Sequence, residues 1–201
     1  MKKGKAGGKK ENALYTGKGD NGTTTLFHCD QGRISKSANI IEALGALDEL
    51  NAYLGVIKVQ SRIDGFKLTI NKKSIPYVKI IEGLQQELFI IQAEVAGSNI
   101  SITKNSLKEI ELIIKNISEV LPPINSFTVS GGSLLSAELD YSRTLARRAE
   151  RSIVKVEVEG FKKLNLMTIS YMNRLSSILF AMSRYSNFIL SISETHPKYN
   201  K

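Results

Sequence analysis

The sequence predicts an all-α protein, a bundle of five helices. Apolar residues recur at helical spacing in five separate segments, and no strand run could make a sizeable sheet. At 201 residues the chain fits one domain with a core of its own. No repeat of solenoid period interrupts that picture.

The helices follow in order. From about Ser37, a plausible N-cap, Ile40, Leu44, Leu47, Leu54 and Ile57 line one face. The stretch "DGFKLTINKKSIP", 64–76, has turn residues at both ends and reads as a connector, with room for a brief strand pair. Ile81, Leu84, Leu88, Ile91 and Val95 then repeat the helical period, and Gly97 ends it. "SLKEIELIIKNISEVL" runs into Pro122 and Pro123, a firm stop. A fourth helix extends from Ser133 to about Gly160, although "IVKVEVEG" alternates and is expected to fray. "NLMTISYMNRLSSILFAMSRYSNFIL" is the fifth. The expected organisation is a basic tail over 1–13, a helical domain over 14–192 and a short tail over 193–201.

Composition bounds the partners. Five lysines and no acid lie in the first ten residues, leaving 23 basic against 19 acidic side chains elsewhere. The body is thus only mildly basic, which suits an anionic small ligand and argues against a nucleic-acid-binding protein. No apolar run approaches a membrane span, so no membrane partner is expected. Cys29 is the only cysteine, which suits a reducing compartment, the cytoplasm. Catalytic zinc is not expected: the two histidines are His28, beside Cys29, and His196 near the C-terminus.

"YTGKGDNGTTTLF", 15–27, combines glycines, threonines and a lysine. Gly17, Gly19 and Gly22 spell G-x-G-x-x-G, but no strand precedes them and no helix start follows, so a dinucleotide fold is excluded. A Walker loop is excluded because no G-K-[ST] closes the segment. What stands is a loop whose backbone N–H groups suit phosphate, or a hairpin with no ligand.

"SRTLARRAER" places Arg143, Arg147 and Arg151 at i, i+4 and i+8, with Glu150 on the same face. Leu145, Ala149 and Ile153 fall on the opposite, core side. The stripe is either a solvated face or a site for several phosphates, which arginine forks bind bidentately. Asn173 and Ser177 share a helix face, fit for a ligand, a metal-bound water or a helix–helix hydrogen bond. In "SFTVSGGS" the two glycines permit a sharp turn and Ser133 can cap the next helix; Phe127, taken alone, reads as core.

These blocks together resemble the PduO-type ATP:cob(I)alamin (corrinoid) adenosyltransferases. "YTGKGDNGTT", "EALGALDELNAYLG", "SGGS", "SRTLARRAER" and "MNRLSSILFAMSRYSN" match the family's blocks in order and at similar spacing, over about 14–190. The resemblance implies a trimer of ferritin-like, up-and-down five-helix bundles, with ATP and corrinoid bound between neighbouring subunits. It implies that Thr16, Gly17, Lys18, Gly19 and Thr24 bind the nucleotide and that Lys36 also reaches it. Arg147, Arg148, Glu150, Arg151 and Asn173 match the second wall of that site, beside Arg143. Asp48 matches an aspartate that pairs with the arginine at Arg147 across a subunit boundary. Phe127 would act at the corrinoid's lower axial face.

The implied reaction moves the 5′-deoxyadenosyl group of ATP to cobalt(I) and releases triphosphate, with Mg²⁺ and a separate reductase assisting. The chain departs from the family pattern at Ser130, usually proline, at Ser177, usually an acid, and in "HCDQGRIS". Ser130 is expected to loosen its turn. A non-catalytic corrinoid carrier or ATP-binding bundle is the alternative.

Overall fold

The computed structural model describes residues 14–26, 32–70 and 73–199. The tail over 1–13 and the residues His28 and Cys29 lie outside them. A two-stranded ribbon comes first, β1 (Thr23–Thr24) antiparallel to β2 (Ile34–Ser35). Then follow α1 (Asn39–Asp64), the hairpin β3 (Lys67–Ile70) and β4 (Lys73–Pro76), α2 (Tyr77–Val95), α3 (Lys104–Val120), α4 (Leu134–Val158) and α5 (Leu166–Ile189). The all-α bundle of five helices is what the periodicity requires.

Helix ends follow local chemistry, with two departures from expectation. Ser37 does not cap α1, because its hydroxyl pairs with that of Ser35 at 2.8 Å; Ala38 takes the capping position with its backbone only. "IVKVEVEG" does not fray. Ile153 and Val156, three apart, are both fully buried, so the alternation rides on a helical face, and left-handed Gly160 closes it. Ser133 caps α4 as expected, accepting from the Ser136 N–H at 3.1 Å.

In the packing, α2 lies on α1, α1 on α4, α4 on α5 and α5 on α3. Asn39 at the start of α1 donates to Glu159 just past α4, at 2.7 and 2.9 Å, so these two helices run antiparallel. Ser183 on α5 donates to the Ser136 carbonyl near the start of α4, so this pair is antiparallel too. The buried Glu94 carboxylate accepts from the Asn165 N–H at 2.7 Å and the Thr168 hydroxyl at 2.5 Å, at the positive N-terminus of α5. The predicted apolar faces form the core: Ile40, Leu47, Leu54 and Ile57 of α1 are buried, and so are all five named residues of α2.

Candidate functional site

The candidate residues fall into three groups, which the fold distributes along the bundle. The first is the N-terminal loop. Gly17, with φ of 66°, opens a turn in which the Asp20 N–H donates to the Gly17 carbonyl, and the Gly22 N–H donates to the Gly19 carbonyl in the next. The ribbon pairs Thr23 with Ser35 and Thr24 with Ile34, which brings Lys36 back to the loop. Its N–H donates to the Gly22 carbonyl at 2.9 Å, and its ammonium lies 3.0 Å from where a Cβ on Gly19 would stand. A side chain at position 19 would therefore have to displace the end of Lys36. Thr16, Gly17 and Lys18 are exposed, whereas Thr24 is half-buried.

Arg33 ties this loop together and went unread in the sequence. Its Nε donates to the Thr23 hydroxyl at 2.6 Å, and one Nη donates to the carbonyls of Thr23, at 2.8 Å, and of Lys18. The signal was a register that only the folded ribbon reveals.

The second group lies on α4 and α5. Arg147 and Arg151 are exposed, and neither makes an ion pair among the described residues. Arg148 points instead to α1 and pairs with Glu49, beside exposed Asp48. Arg143 is half-buried. Its Nε stands 3.5 Å from Asp140 and makes no hydrogen bond among the described residues, and its guanidinium lies 5.9 Å from the centre of the Phe180 ring. Glu150 accepts from the Asn173 amide at 3.1 Å, which brings these two candidate residues together across α4 and α5. Asn173 is itself oriented by Arg174 at 2.7 Å, and Arg174 by Glu111 of α3 at 3.1 Å. The Ser177 hydroxyl donates a long bond, 3.5 Å, to the Asn173 carbonyl in its own helix.

The third group surrounds Phe127, which is not core: 78% of its surface is exposed. It precedes a turn in which Gly131 and Gly132 have φ of 128° and 111°. That turn is held despite Ser130. The Asn187 amide donates to the Gly131 carbonyl at 2.9 Å and its oxygen accepts from the Ser133 N–H at 3.1 Å, while the Ser136 hydroxyl also donates to Gly131 at 2.9 Å. Three cavities of about 450, 340 and 170 Å³ meet at this end of the bundle, each lined by Arg184.

The loop lies beside the start of α1, which meets the end of α4; Phe127 precedes the start of α4. They stand at opposite ends of a 25-residue helix, ~37 Å long at 1.5 Å per residue. No hydrogen bond or ion pair among the described residues joins the loop to the arginines of α4. No helix of the described residues is long and apolar enough to cross a membrane.

Known proteins share both the sequence and the fold of this chain. The chain is 35% identical over 179 residues to the corrinoid adenosyltransferase PduO of Citrobacter freundii, covering 86% of this chain and 49% of that protein. This chain thus spans about half the length of that relative. It is 31% identical over 185 residues to a corrinoid adenosyltransferase of Mycobacterium leprae, covering 87% of this chain and 91% of that one. Its fold matches a variant of the PduO-type ATP:corrinoid adenosyltransferase of Lactobacillus reuteri complexed with cobalamin and ATP, at 27% identity and a TM-score of 0.79, covering 93% of this chain and all of the other. The pattern shared by cobalamin adenosyltransferases runs through residues 14–186, and the chain belongs to that family.

Proposed function

We propose that this protein transfers the 5′-deoxyadenosyl group of ATP to the cobalt(I) of a corrinoid, at sites formed between neighbouring subunits of a homotrimer. Cobalt(I) attacks the ribose C5′, the C5′–O bond breaks, and triphosphate leaves with the electron pair. The cobalt is the nucleophile, so no side chain has to be one. The protein's task is to hold the two substrates in line and stabilise charge on the leaving group.

One observation carries the reading. Lys18, Lys36, Arg147 and Arg151 make no ion pair among the described residues, and the first two meet at the N-terminal loop. Four such cations suit a triphosphate whose charge grows as it departs. Thr16, Gly17, Lys18, Gly19, Thr24 and Lys36 would bind ATP from one subunit. Arg143, Arg147, Arg148, Glu150, Arg151 and Asn173 would close the site from the next. The placement of the loop and Phe127 at opposite ends of α4, a helix ~37 Å long, supports a shared site, because a neighbouring subunit can bring its own residues to the loop. Asp48 would pair with Arg147 across that boundary.

Mg²⁺ fits as an ion carried by the nucleotide. Among the described residues no cluster of three His, Cys, Asp or Glu side chains is placed to hold a metal. Glu150 and Asn173 are hard oxygen donors that suit an ion keeping most of its waters and phosphate oxygens. When bound, it would neutralise phosphate charge.

The remaining elements of the reading are a separate reductase that supplies cobalt(I), a cytoplasmic location, and a working unit of residues 14–192 to which the lysine-rich start is dispensable. The decisive experiment mixes the protein with ATP and cob(I)alamin, follows loss of the cob(I)alamin spectrum and measures triphosphate. Stoichiometric triphosphate supports the reading. Binding of both substrates with no triphosphate would instead identify a non-catalytic carrier.

A further inference from the structure

We propose that residues Ser193–His196 form a strap that positions Phe127, with Arg184 as its anchor. The inference rests on the reading of Phe127 as the residue against the corrinoid's lower face.

Arg184 sits on α5 with only 7% of its surface exposed, and a guanidinium so deep requires partners. Its Nε and Nη2 meet both carboxylate oxygens of Glu194, the second at 3.1 Å, and Nη2 also donates to the Pro122 carbonyl at 3.1 Å. One planar fork thereby joins α5, the chain just past α3 and the segment after α5.

That segment next engages the Phe127 backbone. The Val129 N–H donates to the Thr195 carbonyl at 2.8 Å. His196 Nδ1 lies 2.9 Å from both the Phe127 carbonyl and the Ser126 hydroxyl; a proton on Nδ1 serves the carbonyl. Phe127 is thus gripped through its backbone on either side while its ring stays exposed.

The strap answers a specific need. Residues 121–133 contain no helix or strand, and Ser130 lacks the restraint on φ that a proline supplies. Packing does not hold an exposed ring in place, so its position depends on the backbone beneath it. Cross-chain bonds from Thr195 and His196 supply that restraint, and Arg184 fixes the segment from which they come. Arg184, Glu194 and His196 are therefore positioning residues: they act through Phe127.

The test compares the full chain with one ending at Ser191, with Glu194→Gln and Glu194→Asp, and with Phe127→Ala. Hydrogen exchange at the Val129 amide reads the strap without any corrinoid. Against the lower face, the bulk of Phe127 would exclude the lower axial ligand and water and so favour four-coordinate cob(II)alamin, and the spectrum of cob(II)alamin with ATP reads that fraction. The truncated chain should keep its helical circular dichroism and its ATP affinity, exchange Val129 faster, and lose the four-coordinate form as Phe127→Ala does. Its adenosylation from cob(II)alamin should fall roughly tenfold or more, in kcat rather than through a raised KM. Glu194→Gln should show the same signature, and Glu194→Asp should recover part of it.

Val129 exchanging as fast in the full chain as in the truncated one would overturn the strap. Lost protection with an unchanged four-coordinate fraction would overturn its positioning role. Should the truncated chain fail to fold, the Glu194→Gln and Glu194→Asp pair decides the same two questions. A full chain that protects Val129 yet gives no four-coordinate form would refute the reading of Phe127, and the positioning role with it, leaving only a docked segment.

Discussion

The side-chain amide of Asn187 occupies the space where a Cβ on Gly132 would stand, with its Nδ2 2.7 Å and its Cγ 2.8 Å from that point. Gly132 is a glycine because α5 approaches the turn this closely, and because its φ of 111° disfavours any side chain. Gly132→Ala should therefore displace Asn187 and cost about 1–3 kcal/mol of stability. Gly131→Ala meets open space and carries only the backbone penalty of its φ of 128°. Urea denaturation of the two variants should rank Gly132→Ala as the more damaging.

Glu138 predicts a dependence on pH. Burial, and then the charge of Asp64, push its carboxyl above the ordinary value of 4.5. Its Oε2 is buried without a hydrogen-bond partner among the described residues. A raised acid opposes folding once ionised: the penalty is absent below the unfolded value and grows as pH rises through the folded one. Glu138→Gln should therefore melt higher than the parent at neutral pH, with the advantage vanishing below pH 4.5. An equal difference at both pH values would count against the assignment.

Arg33 closes the N-terminal loop by donating to Thr23 and Lys18. Arg33→Ala should weaken ATP binding roughly tenfold by loosening the loop, with little change in melting temperature, since Arg33 is exposed. A chain beginning at Ala13 should bind ATP as the full chain does, and one beginning at Thr23 should not. Isothermal titration of the three checks the loop as the nucleotide site; equal affinities would remove it.

Asp48 and Arg147 are proposed to meet between subunits. Arg147→Ala should reduce kcat by two orders of magnitude or so, through lost charge stabilisation at the triphosphate. Asp48→Asn should weaken the assembly with a smaller direct effect on ATP. Sedimentation paired with the adenosylation assay tests both, and a fully active monomer would contradict the shared site.

Phe127→Ala separates exposure from packing. A buried phenylalanine would cost about 3–5 kcal/mol on truncation to alanine. At 78% exposure Phe127 should cost far less, and the variant should fold, bind ATP normally and lose adenosylation from cob(II)alamin. Supplying preformed cobalt(I) should restore part of the rate.

Much of the candidate site was legible in advance because it is local. The i, i+4, i+8 spacing that puts Arg143, Arg147 and Arg151 on one face of α4 is a property of the helix itself. The same spacing did not reveal that Arg143 turns to Asp140 and Phe180, or that Arg148 pairs with Glu49 on α1. Glu111, which holds the Arg174 that orients Asn173, was missed because it lies 63 residues from Arg174 and only helix packing makes them neighbours.

By itself, the sequence determined the five helices, their inward faces and the Ser133 cap, since periodicity and capping are written within a few residues of where they act. The tertiary structure alone decided the rest. It exposed Phe127, a residue whose type reads as core, because the turn before α4 lies outside the bundle. It stationed the loop and Phe127 at opposite ends of α4, and drew Glu194 back onto Arg184. Each of these depends on how helices pack. Contacts between distant segments arise from the whole buried surface, and no local pattern in the chain encodes them.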